Sequence, residues 1–192
     1  MLKSLYDWTM GLAAHKHAIW ALAFIAFIEA SVFPIPPDVL MIPLILAQPK
    51  RAWWIATVSL VASVLGGLLG YAIGAFFYDS IGAPILETLG KGDAVAEFND
   101  RFNDYSFWAV LIAGITPFPF KVITILSGWT SMPLAIFVTT AIIARAFRFF
   151  IVAALLWKFG APIRDFIEKR LGLVFTVFMI LLVGGFFAVK YL

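Results

Sequence analysis

Residues 29–43 read EASVFPIPPDVLMIP. Two acids, Glu29 and Asp38, flank Pro34, Pro36 and Pro37 in a region whose neighbouring stretches are almost wholly apolar. Proline removes a backbone donor and restricts the residue before it, so a helix running into this stretch must stop there. The apolar legs on either side, 17–33 and 39–47, are each short of the roughly 20 helical residues that a bilayer crossing takes. A break between two short legs predicts a re-entrant helical hairpin over residues 17–47. The alternative is one kinked crossing over the same residues.

Composition sets the solvent for such a hairpin. Of 192 residues, 63% are hydrophobic and 13% charged, and the mean hydropathy is +1.00. That is more apolar surface than one soluble core can bury, so the chain reads as a single all-α membrane domain. The formal net charge of +3 is too small, in so apolar a chain, for nucleic-acid binding. Cysteine is absent, which excludes disulfides, thiol catalysis and Cys-ligated metals. The two histidines, His15 and His17, flank Lys16 and read as interfacial side chains, so no metal or cofactor is expected. The apolar run after Lys16 meets Glu29 without a small-residue cleavage site, and the segment reads as retained.

Working outward, residues 1–16 mix charges with spaced apolar side chains and predict an interfacial helix. Residues 52–78 are long enough to cross. Residues 79–106 carry six acids and two bases and form an extramembrane amphipathic segment. The opening pattern then returns over 107–130: a short apolar leg, the break TPFPFK at 116–121 with Pro117 and Pro119, and a second short leg. Residues 134–158 cross again, 161–170 are amphipathic, and 171–190 form a last apolar crossing.

The two halves repeat. Pro34-Ile35-Pro36 corresponds to Pro117-Phe118-Pro119 at an offset of 83, which also sets Asp38 against Lys121. Gly-Ala-Pro-Ile then recurs at 82–85 and 160–163, at an offset of 78. A hairpin returns to its own side and 52–78 crosses once, so the second hairpin opens to the opposite face, as an inverted repeat. Lys3, Lys16, Lys50, Arg51, Lys158, Arg164, Lys169 and Arg170 then share the side of the N-terminus, against Lys91, Arg101 and Lys190 opposite. That bias places the N-terminus in the cytoplasm.

Matched breaks at membrane depth survive only when buried in protein or lining a wet cavity, and they point to a site. Five ionisable residues lie in or beside the apolar segments: Glu29 and Asp38 in the first half, Lys121, Arg145 and Arg148 in the second. Each costs on the order of 3 kcal/mol at a membrane-helix centre, so opposite signs are expected to neutralise across the repeat interface. Arg145 and Arg148 share a helical face and could hold a phosphate. An ion-pair network that only fixes the fold is the plainer reading. Gly66, Gly70 and Gly74, every fourth residue, read as a helix-packing stripe.

Glu29 with FPIPPD (33–38), YAIG (71–74), TPFPFK (116–121) and RAFRFF (145–150) together resemble the DedA family of SNARE-associated, or VTT-domain, proteins. The nearest likeness is to its small YqaA-like bacterial branch. The resemblance implies a multi-pass bacterial inner-membrane protein with two opposed re-entrant hairpins. It also implies movement of lipids between leaflets, such as undecaprenyl phosphate or phosphatidylethanolamine, linked to the proton gradient. By that likeness Glu29 and Asp38 fit the acidic positions, and Lys121, Arg145 and Arg148 the basic ones. The chain departs at Ile115 or Thr116, where larger members carry arginine, and at Lys121, a point charge instead of a planar fork.

The expected function is therefore a lipid translocase, flippase- or scramblase-like, with Lys121, Arg145 and Arg148 binding the headgroup and Glu29 or Asp38 exchanging protons. Membrane lipids are the expected partners, with self-association left open and nucleic acid excluded. A small-solute or ion transporter of the same architecture and a non-transporting scaffold are the alternatives. No nucleophile or metal constellation is visible, so an enzyme is not expected.

Overall fold

The computed structural model describes residues 17–33, 36–82, 84, 92–116 and 119–169. The expected interfacial helix 1–16 and the crossing 171–190 lie outside these residues, as do Pro34 and Pro117. Helix is the only regular structure among the described residues. The elements are α1 (Ala18–Ser31), α2 (Asp38–Ala47), a 3-10 turn (Pro49–Arg51), α3 (Ala52–Phe77), a π-helical turn (Tyr78–Gly82), α4 (Gly92–Ile115), α5 (Phe120–Trp129) and α6 (Leu134–Lys169).

The prolines punctuate these elements. Pro37 (φ −64°) caps the start of α2, Pro49 opens the 3-10 turn that leads into α3, and Pro119 caps α5. At 1.5 Å per residue α2 and α5 are each about 15 Å long and α1 about 21 Å, against roughly 30 Å of hydrocarbon. Only Pro49–Phe77 and Leu134–Gly160 are both long and apolar enough to cross, among the described residues. In α6 the backbone leaves helical geometry at Phe159 (φ −120°, ψ 20°), just ahead of Gly160 and Pro162, where the sequence divides a crossing from an amphipathic stretch. One boundary differs from the expectation. The charged stretch 92–106 and the apolar leg 107–115 are a single helix, α4, because nothing between them removes a backbone hydrogen bond.

The spine of the bundle is α3. Helix α1 packs along it, α5 packs on its second half, and α6 crosses it; α4 packs along α6, and α2 packs on α6 as α5 does on α3. Each half thus lends its second short helix to the other half's long one. The glycine stripe makes this possible. A Cβ on Gly66 would come within 2.0 Å of the Phe27 carbonyl oxygen on α1, and one on Gly74 within 1.9 Å of the Ile125 carbonyl oxygen on α5. Small residues let the backbones touch on both sides of α3, as the spacing predicts.

Large apolar side chains crowd the surface, and several polar groups lie inside, which is unusual for a water-soluble protein. Ser31, Ser59, Ser63, Thr124, Ser127, Glu29 and Arg145 are buried, whereas Trp20, Phe24, Trp54, Phe76, Trp108 and Phe147 are exposed. The interior divides into two apolar clusters. One gathers Leu22 of α1, Met41 and Ile45 of α2, Ile55 of α3, and Phe149 and Leu156 of α6. The other gathers Ala30, Val110 of α4, Phe120 and Ile123 of α5, and Phe137 and Ala141 of α6. Between Ala141 and Phe149, at the seam of the two clusters, lies Arg145.

Helix α5 leaves its cluster through a defined turn. The amide of Ser131 bonds to the Gly128 carbonyl at 3.1 Å and that of Met132 to the Ser127 carbonyl at 2.9 Å. This is a Schellman motif, with Ser131 at φ 53° in the left-handed position usually held by glycine. Tyr71 of α3 fixes the turn by donating its hydroxyl to the Met132 carbonyl at 2.6 Å.

Candidate functional site

Four elements bring five charges to the helix breaks. Glu29 lies in the last turn of α1, Asp38 is the first residue of α2, Lys121 the second of α5, and Arg145 and Arg148 lie one turn apart in α6. Arg145 Nη2 donates to Glu29 Oε2 at 2.8 Å. Arg148 Nη2 donates to Asp38 Oδ2. Two ion pairs therefore tie the first break, from both of its ends, to one face of α6.

The remaining donors go to backbone. A helix end leaves carbonyls without intrahelical partners, and in an apolar surrounding each needs another donor. Lys121 Nζ donates to the Val32 carbonyl at 3.0 Å, and Thr124 Oγ1 lies 2.9 Å from both the Ala30 carbonyl and the Lys121 carbonyl, which share its one proton. The Ala30 and Val32 carbonyls close α1, and both donors sit on one face of α5. At the second break, Arg148 Nη1 donates to the Thr116 carbonyl at 2.6 Å. Gly70 leaves room for this junction, since a Cβ there would come within 2.3 Å of Thr124 Oγ1.

The two pairs differ in access. The side chains of Arg145 and Glu29 are 2% and 9% exposed, whereas those of Arg148 and Asp38 are each 16% exposed. The Arg145 guanidinium lies 4.0 Å over the Phe120 ring and 5.7 Å from the centre of Phe149, and its Nε has no hydrogen-bond partner. A buried charge is tolerable only when paired, and here one carboxylate and two rings enclose it. Lys121 is half-buried, and no carboxylate lies within 4.0 Å of it among the described residues. Two acids thus neutralise two arginines, and the surplus positive charge rests on Lys121.

Comparison with known proteins gives this arrangement a family. Residues 35–158 match the VTT domain. The chain belongs to the VTT-domain family, also called DedA. It is 40% identical over 169 residues to an uncharacterized protein of Haemophilus influenzae, covering 86% of this chain and 88% of that one. It is 39% identical, over the same shares, to an uncharacterized protein of Histophilus somni. No solved structure matches the chain. Membership in the VTT-domain family and the two long apolar helices together point to a membrane protein.

Within this VTT-domain chain the structure brings together all five charges that the sequence singles out, though not in every combination. Asp38 takes Arg148 as its cation, and Lys121 takes a carbonyl. Arg145 and Arg148 share a face of α6, as their spacing requires, but each fork is turned to a different carboxylate. Pro36, Pro37 and Pro119 lie at the breaks. Among the described residues no three His, Cys, Asp or Glu side chains gather as a metal site would need. Sequence reasoning missed Thr124, Phe120 and the carbonyls of Ala30, Val32 and Thr116. The hydroxyl three residues after Lys121 was the available sign for Thr124; the carbonyls leave none.

Proposed function

We propose that this VTT-domain protein is a translocase for a phosphate-bearing membrane lipid, such as undecaprenyl phosphate or a phospholipid, linked to proton movement. The observation that carries the reading is that the helix breaks hold both a partly exposed ion pair, Asp38–Arg148, and a lysine, Lys121, with no described carboxylate within 4.0 Å. In this reading the hairpins 17–47 and 107–130 enter the bacterial inner membrane from opposite faces, with the N-terminus cytoplasmic. The exposed large apolar side chains support a membrane setting, and the bias of lysines and arginines along the sequence supports the cytoplasmic N-terminus.

The chemistry is competition among anions. A headgroup phosphate reaches Lys121 first, because Lys121 gives up only a carbonyl to bind it. The phosphate then competes with Asp38 for the Arg148 fork, which suits either anion bidentately. Asp38, once displaced, loses its counter-charge in an apolar setting and takes up a proton. Release of the headgroup on the other side returns Asp38 to Arg148 and frees the proton. Glu29–Arg145, enclosed, holds α1 to α6 while this happens. The test is leaflet transfer of a fluorescent phosphate lipid in proteoliposomes, with and without a pH gradient. Asp38→Asn should abolish transfer while the protein remains monodisperse, and normal transfer by that variant overturns the mechanism.

A second reading has a specific observation behind it: both acids already have cations. On that reading the pairs only fix the fold and the protein is a scaffold. Exchanging the partners, Asp38→Arg with Arg148→Asp, separates the two. A wild type that transfers no lipid, with full stability recovered by the swap, favours the scaffold, whereas a folded swap that has lost the wild type's transfer favours a site.

A further inference from the structure

The two long apolar helices share a corner remote from the helix breaks. There the 3-10 turn Pro49–Arg51 lies against α6. Trp53 joins the two, its ring stacked on Phe150 at 6.0 Å and lying 6.1 Å from that of Trp157. Lys50 and Arg51 lie in that turn and Lys158 follows Trp157, so three bases adjoin one aromatic group along the chain. All three are exposed, and none has a carboxylate within 4.0 Å among the described residues. Trp54 and Trp157 are more than half exposed beside them.

We propose that this corner binds the headgroup of an anionic phospholipid as a resident lipid, not as cargo. The argument is charge complementarity at a fixed depth. Both spans, Pro49–Phe77 and Leu134–Gly160, have an end here, so bases and indoles sit where hydrocarbon gives way to headgroups. Indoles prefer that level, and each nearby base favours an anionic over a neutral headgroup by about fivefold. The phosphate lies among Lys50, Arg51 and Lys158, and the acyl chains run along Trp53 and Phe150. The chain leaves helical geometry at Phe159, next to Lys158, whose Nζ lies 5.5 Å from the Phe159 ring. A lipid bound there clasps the 3-10 turn to the end of the crossing. Lys158 is ten residues beyond Arg148 on α6, about 15 Å along the axis, so this site is separate from the charges at the breaks. The assignment does not rest on the translocase reading.

The test uses the full chain in neutral detergent with phosphatidylglycerol or phosphatidylcholine added at equal mole fraction. Phosphatidylglycerol should raise the midpoint of thermal unfolding at a concentration at least tenfold below that of phosphatidylcholine, and should stay bound in native mass spectrometry. K50Q/R51Q/K158Q should abolish the difference while leaving the unfolding midpoint in lipid-free detergent unchanged; K158Q alone, a milder change, should reduce it by about fivefold. Equal effects of the two lipids on the wild type, or an unchanged preference in K158Q, overturn the proposal. Full stabilisation by soluble glycerol phosphate also overturns it, by showing a free-anion site instead of a lipid site.

Discussion

The two helix breaks meet the same demand with unequal means. At the first, acids stand on both sides, Glu29 before it and Asp38 after it, and the carbonyls of Ala30 and Val32 take donors from α5. At the second no acid flanks the gap between α4 and α5, and the Thr116 carbonyl takes Arg148 of α6. All these donors belong to the second half and both acids to the first. Each break therefore depends on residues distant in sequence, because a proline break spends its own amide donors and cannot cap its own carbonyls. A charged network at this seam does more than neutralise itself. It supplies the donors that irregular backbone lacks.

The largest effect expected is at the enclosed pair. Glu29→Gln leaves Arg145 charged and buried between two rings, and should lower stability by roughly 3–5 kcal/mol, read as thermal unfolding in detergent. A loss under 1 kcal/mol would break the distinction between the enclosed pair and the open one. Next comes the junction between the breaks. Thr124→Val keeps the shape and removes the donor to Ala30, and should cost about 2 kcal/mol, while Thr124→Ser should cost less. A larger loss for Thr124→Ser than for Thr124→Val would show that packing of the Cγ2 methyl against Gly67, not the hydrogen bond, is what matters.

Asp38→Asn should destabilise by less than Glu29→Gln, since its pair is less enclosed and Arg148 keeps the Thr116 carbonyl. The same substitution is the one expected to remove transfer, so stability and activity should part company here and nowhere else in the network. The smallest effect belongs to the exit of the second hairpin. Ser131→Gly relieves a left-handed residue and should raise stability by about 0.5–1 kcal/mol, against no gain from glycine at Gln48 (φ −135°) at the exit of the first.

Much of the fold was legible because it follows from local chemistry. Prolines at 34, 36, 37, 117 and 119 mark two breaks, and apolar run lengths separate short legs from spans. The glycines at 66, 70 and 74 announce a close crossing, and the structure puts backbone against each. The continuity of α4 was not legible, because a change from charged to apolar composition alters a helix's surroundings without interrupting its hydrogen bonds. The partners of the charges were not legible either. The repeat set Asp38 against Lys121, but a repeat relates positions by symmetry and does not place them in contact.

The sequence by itself determined that this chain is helical and apolar outside, and that it is broken twice with acids in one half and bases in the other. Those properties depend on residue type and spacing, which the chain carries wherever it folds. Only the tertiary structure decided that Glu29 meets Arg145, that Asp38 meets Arg148, and that Lys121 spends its charge on a carbonyl. Such choices depend on which helix faces come within about 3 Å of one another, and that is set by packing across α3 and α6.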